Sequence, residues 1–315
     1  MHSKVLLFSL VVLLFAGTFY LKNALRSRKT DAGERAAGST AEPQAPCAYK
    51  RIVSLSPSVT EILFALGLGD KVKGVTEFCD FPPEAMAIPK IGGYFDINFE
   101  AIVALEPDLV VLLGEHHDTR RGLQEMGLKT VSVNHKTIDG ILESLVTLGS
   151  ACGAADKGRA LAAELRRRVD RVCSKTQGLP RPRTLISVDH PMGTGSLTEV
   201  YIAGHEAFYN AMLEWAGGEN AYTNETIKFP MVTVEGILEM NPEVIIDVAA
   251  DLENRAWTEE AMLAEWNTLK EVKAVASLRV HIFTDDFVVI PGPRFILTLE
   301  KMARTLHPEL DWSEP

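Results

Sequence analysis

Two segments of the chain carry the same pattern of hydrophobic and polar positions. The sequences NFEAIVALEPDLVV (residues 98–111) and TVEGILEMNPEVII (residues 233–246) each place a glutamate seven residues before a proline. Each segment predicts a polar N-cap, Asn98 or Thr233, then an amphipathic helix, a proline that ends the helix, and a buried apolar strand. This repetition indicates that the two halves of the chain are structural relatives.

Apolar runs alternate with amphipathic segments through the rest of the chain. In the first half, a helix is expected to begin either at Ser56 or at a capping box formed by Ser58 and Glu61. Strands that alternate with helices indicate parallel sheets covered on both faces. We therefore predict an α/β fold with two Rossmann-like lobes, residues 48–150 and 180–315. The predicted strands are RIVSL, KVKGVT, LVVLLG and KTVSV in the first lobe and RTLISV, EVIIDV and RVHIF in the second, and the segments AFYNAMLEWAGG and ILTLEKMARTL are predicted to be helices.

One long amphipathic helix is predicted between the lobes, within a connecting segment of residues 151–179. Over residues 156–175, apolar side chains fall on one face and charged side chains on the opposite face, and Gly178 and Pro180 end the helix. A single helical connection predicts a stiff pair of lobes with limited hinge closure. The apolar face consists of Leu161, Leu165, Val169 and Val172.

The N-terminal region has the composition of a membrane segment followed by a linker. Residues 5–21 are almost wholly apolar and follow Lys4, so residues 1–29 predict an export signal or, preferably, an uncleaved transmembrane signal anchor. Four basic residues after the apolar run favour the opposite orientation, although this bias is only a tendency before a long domain. Residues 30–47 lack large apolar side chains and predict a flexible linker. The lobes are therefore expected on the periplasmic, extracytoplasmic face, tethered to the inner (cytoplasmic) membrane.

Composition and motifs narrow the function classes. Hydrophobic residues make up 46% and charged residues 23% of the 315 residues, which is ordinary for a globular protein, and the net charge of −10 with no basic stripe argues against nucleic-acid binding. The four cysteines show no zinc-ligand spacing. No GxGxxG, P-loop, GxSxG or HExxH sequence is present. These absences argue against catalysis, so we expect a binding protein with no catalytic residues, no metal-ligating residues and no cofactor of its own. We also expect a monomer.

Four separated segments resemble a known family. In this order, RIVSLSPSVTEILFALGLGDKVKGVT, CDFPPEA, NFEAIVALEPDLVV and PGPRFILTLEKMARTLHPE are similar to the helical-backbone (class III) periplasmic binding proteins for cobalamin and iron siderophores. The resemblance runs from about Tyr49 to Leu310. It implies the substrate-binding component of an ABC importer, with an ABC permease and its ATPase as partners and a small-molecule metal chelate as the transported ligand.

The resemblance also implies roles for two glutamates. Glu100 and Glu235 match the positions where the family presents one glutamate on each lobe to arginines of the permease. A carboxylate in the first turn of a helix is also favoured by the helix dipole alone, so a purely structural role is the alternative. Because the two glutamates are equivalent in the repeat, we expect permease docking.

By match to the cobalamin-binding relatives, five residues fall where a ligand cleft has its aromatic and polar contacts. They are Phe78, Tyr94, Phe229, Asp286 and Phe287. Aromatic faces suit a large, flat and partly apolar corrinoid. The cleft is expected between the lobes, on loops that follow the carboxyl ends of the strands.

Some positions depart from the pattern of the cobalamin-binding relatives. Leu113 stands where an aromatic residue is common and Ile290 where an arginine can occur, yet the loops offer few basic side chains for a ferric siderophore. A corrinoid is therefore the preferred ligand, with a ferric siderophore or haem as the alternative. A free-metal receptor that uses His116, His117 or His190 and a membrane-tethered sensor without a transporter are further alternatives.

Overall fold

The computed structural model describes residues 49–192, 195–224, 227–250 and 257–313. The predicted signal anchor and linker, residues 1–29 and 30–47, lie outside the described residues and stay predictions. Within the four described ranges, no helix combines the length and the apolar character that crossing a membrane requires.

A four-stranded parallel sheet forms the first lobe. The strand order is β2-β1-β3-β4, and every pairing is parallel, as the alternation of strands and helices predicted. All five residues of β3 are buried, which accounts for its unbroken apolar sequence LVVLL. The strands are β1 (Ile52–Ser54), β2 (Val72–Val75), β3 (Leu109–Leu113) and β4 (Thr130–Val133), and the helices are α1 (Pro57–Ala65), α2 (Phe99–Ala104), α3 (His117–Glu125) and α4 (Ile138–Ala151).

A mixed sheet forms the second lobe. In the described part of the chain its order is β10-β9-β5-β6-β8, and β7 pairs with β5. The neighbours β10, β9 and β5 are parallel as predicted, and the short strand β7 also pairs with β5 in parallel, whereas β6 and β8 run antiparallel to their partners. The sequence did not predict these two strands, because EVYI and MVT are short and lack an extended apolar run. The strands are β5 (Arg183–Asp189), β6 (Glu199–Ile202), β7 (Glu219–Asn220), β8 (Met231–Thr233), β9 (Val244–Val248) and β10 (Val280–Phe283).

Helices cover the second sheet and connect it to the first. The long helix α5 (Ala155–Thr176) agrees with the predicted 156–175 within one residue at each end. It packs closely against α4, since a Cβ at Gly158 would lie 2.4 Å from the Leu145 carbonyl oxygen. On the other side, Arg168 donates two hydrogen bonds, of 2.9 and 2.8 Å, to the Glu300 carboxylate. The other helices are α6 (Phe208–Trp215), α7 (Val234–Met240), α8 (Glu259–Trp266), α9 (Lys273–Ala276) and α10 (Phe295–Leu306).

The duplicated segments fold alike. Helices α2 and α7 each bury one isoleucine completely, Ile102 and Ile237, and each is followed by a residue in the left-handed region, Glu106 with φ 45° and Asn241 with φ 44°. The helix therefore ends before this left-handed residue and not at the proline itself, which corrects the predicted boundary.

The strands that follow α2 and α7 also start in the same way. The backbone N–H of Asp108 donates to the Arg51 carbonyl at 2.9 Å, and that of Glu243 donates to the Arg183 carbonyl at 2.7 Å. In both places the acidic side chain accepts a hydrogen bond from the backbone N–H of that same arginine. The internal repeat is thus present in the hydrogen bonding of both lobes.

Candidate functional site

The carboxyl ends of the parallel strands form one edge of each sheet. In open α/β sheets, ligands bind in the crevice at this edge. In the first lobe the loops at this edge follow β1 to β4, and in the second they follow β5, β9 and β10. We call the region where these loops of the two lobes face each other the interlobe cleft.

A tyrosine, a glutamate and a histidine form a cluster on the first-lobe side. The hydroxyl of half-buried Tyr94 donates to Glu115 Oε1 at 2.8 Å, and the tyrosine ring meets the His116 ring edge-on at 4.6 Å between centres. Burial, together with the Glu115 charge, raises the pKa of Tyr94, so its hydroxyl stays protonated. Burial lowers the pKa of His116, which favours the neutral imidazole. Among the described residues, neither ring nitrogen of His116 has a hydrogen-bond partner.

Lys228 of the second lobe interacts with the charge of this cluster. It precedes β8 and lies with its ammonium 5.5 Å from the centre of the Phe229 ring. Burial lowers the pKa of Lys228, whereas the charge of Glu115, in the other lobe, raises it. The two side chains therefore lie near enough for their charges to interact.

A second contact between the lobes is built around Arg294. Its guanidinium donates to Glu61 Oε1 at 2.6 Å and to Asp286 Oδ1 at 2.8 Å. The guanidinium carbon lies 3.7 Å from the centre of the Phe81 ring and 5.8 Å from that of Phe287, distances typical of cation–π contacts. Arg294 therefore joins α1 and the Phe81 loop of the first lobe to the 286–289 segment of the second.

Glu61 is the buried partner in this contact. Its side chain is 2% exposed, and burial raises its pKa while Arg294 acts in the opposite direction. A Cβ at Gly292 would lie 3.0 Å from Glu61 Oε2, so the segment before α10 packs directly on α1. The capping-box alternative for Glu61 was wrong: α1 begins at Pro57 after the N-cap Ser56, and Glu61 instead pairs with Arg294.

The first lobe also buries a group of hydroxyls beneath its cleft loops. Ser58 Oγ lies 2.8 Å from His135 Nδ1, and Thr60 donates to the sulfur of Cys79 at 3.2 Å. Burial lowers the pKa of His135 to about 3. Cys79 is a free thiol whose pKa is raised by burial. This part of the lobe is therefore polar but neutral.

The second lobe buries a charged group at the matching edge. His190 Nε2 lies 2.9 Å from Asp247 Oδ2, and the Trp266 indole donates to the same oxygen at 2.7 Å. Burial would lower the pKa of His190, but the hydrogen bond and charge of Asp247 outweigh it, so the pKa is raised. Glu265 adds a second acidic side chain, 4.0 Å from His190 Nδ1.

Four of the five predicted site residues lie in the Glu115 cluster, beside Lys228 or around Arg294. Tyr94 belongs to the Glu115 cluster, and Phe229 lies beside Lys228 of the second lobe. Asp286 and Phe287 lie around Arg294. Phe78 is half-buried in the loop after β2.

The predicted docking residues lie on the surface. Glu100 and Glu235 are exposed in the first turns of α2 and α7. Asn98 caps α2 through its side chain, whereas Thr233 makes no side-chain cap hydrogen bond to α7. The backbone and the Thr233 side chain instead hydrogen-bond to the Glu235 carboxylate, which lowers the pKa of Glu235. Both glutamates stay predictions for docking.

Several residues of the site were not predicted from the sequence. Glu61 and Arg294 are far apart in the chain, and the one available signal was an acidic residue within the apolar sequence of α1. Among the described residues no group of three or more metal-ligating side chains could hold a metal ion. His117 is exposed and His190 is paired with Asp247.

The sequence of this chain is similar to those of known binding proteins. A family model described as "Periplasmic binding protein" matches residues 52–286. The "Uncharacterized ABC transporter substrate-binding lipoprotein YvrC" of Bacillus subtilis is 29% identical over 273 residues, which cover 82% of this chain and 81% of that protein. The "Cobalamin-binding protein" of Halobacterium salinarum is 30% identical over 289 residues, which cover 88% and 73%.

Two solved structures share the fold. The periplasmic vitamin B12 binding protein BtuF of Vibrio cholerae superposes with a TM-score of 0.69 at 24% identity, covering 84% of this chain and 98% of its own. The periplasmic heme-binding protein RhuT from Roseiflexus sp. RS-1 gives a TM-score of 0.70 at 24% identity, covering 82% and 98%. At these identities the two structures support the two-lobed α/β architecture alone.

Proposed function

The chain belongs to the periplasmic binding protein family, a family of binding proteins and not of enzymes, and from that premise we propose that it is the substrate-binding component of an ABC importer. We propose further that it captures a corrinoid between its lobes and delivers it to the permease. The protein is expected to act on the extracytoplasmic face, tethered by its N-terminal segment. The Bacillus relative is named as a lipoprotein, which supports a membrane-attached location.

The observation that carries the binding proposal is that aromatic and charged side chains from both lobes lie near each other, with the charges of Glu115 and Lys228 interacting between the lobes. The first lobe contributes Tyr94, Glu115 and His116, and the second contributes Lys228 and Phe229. Aromatic side chains with a few placed polar groups are typical of small-molecule sites. A ligand that contacts all of these side chains must therefore bind to both lobes.

The chemistry of the cleft favours a corrinoid. A corrin ring presents a flat apolar surface for aromatic contacts and a rim of amides for hydrogen bonds, and the tyrosine hydroxyl, carboxylate and ammonium offer both donors and acceptors. Among the described basic side chains near the predicted residues, Arg294 is already paired with Glu61 and Asp286, and Lys301 is paired with Asp285. Relatives named for cobalamin and vitamin B12 support the same choice.

Haem is the second candidate, and one observation favours it. The neutral His116 imidazole has no hydrogen-bond partner among the described residues, and a neutral imidazole is a common ligand of haem iron. Tyr94 packs edge-on against this ring and would lie beside a bound haem.

The fold suggests how the ligand is held and delivered. Helix α5 and the Arg294 contact both join the lobes, so closure around a ligand is expected to be small. The liganded protein then docks through Glu100 and Glu235, one on each lobe, onto a two-fold symmetric permease. Nucleotide-driven motion of the permease releases the ligand into the membrane pathway.

The direct test is to titrate the full-length protein in detergent with cyanocobalamin, haem and a ferric hydroxamate in parallel, with calorimetry and tryptophan fluorescence as readouts. We expect saturable cyanocobalamin binding that weakens about tenfold or more in Tyr94→Ala. Tyr49→Ala is the matched control, because Tyr49 lies before β1 at the opposite edge of the first sheet. Tight binding of haem or the ferric hydroxamate alone would reject the corrinoid, and binding of none of the three would reject the proposed ligand class.

A further inference from the structure

The duplicated helices share an exposed feature besides their glutamates. Val103 in α2 is 47% exposed and Leu238 in α7 is 39% exposed. Each apolar residue follows its glutamate by three positions, and the two positions are equivalent in the repeat. A single exposed apolar side chain is ordinary on a protein surface, but the same exposure at both copies of a duplicated position calls for a common cause.

The packing of the two helices explains why these side chains point outward together. Successive residues of an α-helix are rotated by about 100°. Ile102 and Ile237 are completely buried and fix the rotation of their helices against the two lobes. Residues three apart lie next to each other on a helix surface, so each glutamate lies beside the exposed apolar side chain on the face away from the buried isoleucine.

The backbone makes the two surfaces equivalent. Both helices end at a left-handed residue before a proline, and both lead into a central strand through the same hydrogen bond to an arginine carbonyl. The pair Glu100–Val103 therefore lies at the same place on the first lobe as Glu235–Leu238 does on the second. We call these two pairs the docking pairs.

We propose that each docking pair binds as a unit to one half of a two-fold symmetric partner, a basic side chain meeting the glutamate and an adjacent apolar pocket receiving Val103 or Leu238. This inference rests on the proposed function, since the permease is the two-fold partner that it requires. Charge complementarity at a rim mainly speeds association, whereas buried apolar contacts mainly slow dissociation. The two members of each pair thus have separable kinetic roles.

The test measures binding of the full-length, ligand-loaded protein to its purified permease–ATPase complex in nanodiscs, with association and dissociation rates followed at low and high salt. The variants are Val103→Thr with Leu238→Asn, and Glu100→Gln with Glu235→Gln. Met126→Gln is the matched control, because Met126 is 53% exposed but lies after α3, outside the repeat.

We expect the Val103/Leu238 variant to dissociate about tenfold faster while its association rate stays within about twofold of the unsubstituted protein. The Glu100/Glu235 variant should associate more slowly and lose most of its salt dependence. The control should leave both rates unchanged.

Unchanged dissociation of the Val103/Leu238 variant would overturn the docking pairs and leave the importer function standing. Equal loss in the Met126→Gln control would also overturn them, because any exposed apolar residue would then suffice. Failure of the unsubstituted protein to bind the complex or to stimulate its ATPase activity would instead reject the proposed function itself.

Discussion

The two lobes share a duplicated backbone, but the histidines buried at their cleft edges have pKa values shifted in opposite directions. In the first lobe His135 contacts a serine hydroxyl, and burial keeps the imidazole neutral. In the second lobe His190 contacts the Asp247 carboxylate, which favours the imidazolium. The comparison shows that the repeat determines where the loops lie, while residues particular to each lobe determine their electrostatics.

This asymmetry matters for the proposed binding, because the lobes would offer different chemistry to one ligand. The first lobe contributes a tyrosine hydroxyl and a carboxylate, and the second contributes an ammonium beside an aromatic ring. A symmetric pair of lobes would suit a symmetric ligand. The observed pair instead suits a ligand with chemically different faces, as a corrinoid has.

Removal of the second-lobe carboxylate should have the largest effect on stability. Asp247→Ala leaves buried His190 and the Trp266 indole without their shared acceptor, and we expect a loss of about 3–5 kcal/mol in the free energy of unfolding. Ser58→Ala removes the neutral contact to His135 in the first lobe and should cost only about 1 kcal/mol. Denaturant unfolding of both variants checks this, and equal losses would remove the proposed contrast between the lobes.

The contact that joins the lobes should give the next largest effect. Arg294→Met leaves the buried Glu61 carboxylate without its partner, and we expect a loss of about 2–3 kcal/mol, less than for Asp247 because Arg294 is partly exposed. Glu61→Gln in the same chain should recover much of that loss. A double-mutant cycle of Arg294→Met and Glu61→Gln, measured by thermal unfolding, gives the coupling energy of the pair. Asp286→Asn, at the exposed partner of Arg294, is the control. Additive effects of the two substitutions would mean that the pair does not couple the lobes.

The two buried histidines should respond to pH with opposite signs. His135 has a pKa of about 3 in the folded protein, below its unfolded value, so its contribution to stability is lost as the pH falls below about 6.5. At pH 5 this loss is about 2 kcal/mol, and His135→Gln should abolish it. His190 has a raised folded pKa, so its contribution is present at low pH and is lost as the pH rises through that folded value.

Imidazole NMR titration separates the two cases. His135 should stay neutral at pH 5, and His190 should titrate above the ordinary histidine value. If both histidines titrated near 6.5, the electrostatic difference between the lobes would not exist.

The smallest expected effect tests whether the lobes face each other. Glu115 raises the pKa of Lys228 from the other lobe, so Glu115→Gln should lower that pKa. Glu206→Gln, within the second lobe, should lower it less. The Lys228 ammonium can be followed by NMR after selective labelling. A Lys228 pKa that does not respond to Glu115→Gln would show that the two charges do not interact between the lobes.

Much of the fold was predictable because it rests on local periodicity. The repeat, the four strands of the first lobe, β5, β9 and β10 of the second lobe and α5 follow from apolar spacing, and α5 was predicted within one residue at each end. The antiparallel strands β6 and β8 were not predicted, because such short strands are stabilised by their neighbours and not by their own sequences.

The site was less predictable because its contacts join distant parts of the chain. Tyr94 and Asp286 were predicted, but their partners Glu115 and Arg294 come from other loops and are set by tertiary packing. Glu61 shows the limit most clearly. Its spacing from Ser58 fits a capping box, yet in the fold it pairs with an arginine 233 residues away. Local patterns carry no information on such pairs.

The most direct test of the central claim, that both lobes hold one ligand between them, is amide hydrogen exchange on the full-length protein with and without the ligand that the titration identifies. We predict slower exchange in cleft loops of both lobes, at residues 92–95 and 114–117 in the first and at residues 228–230 and 285–288 in the second. Protection confined to one lobe, or found only along α5, would contradict it.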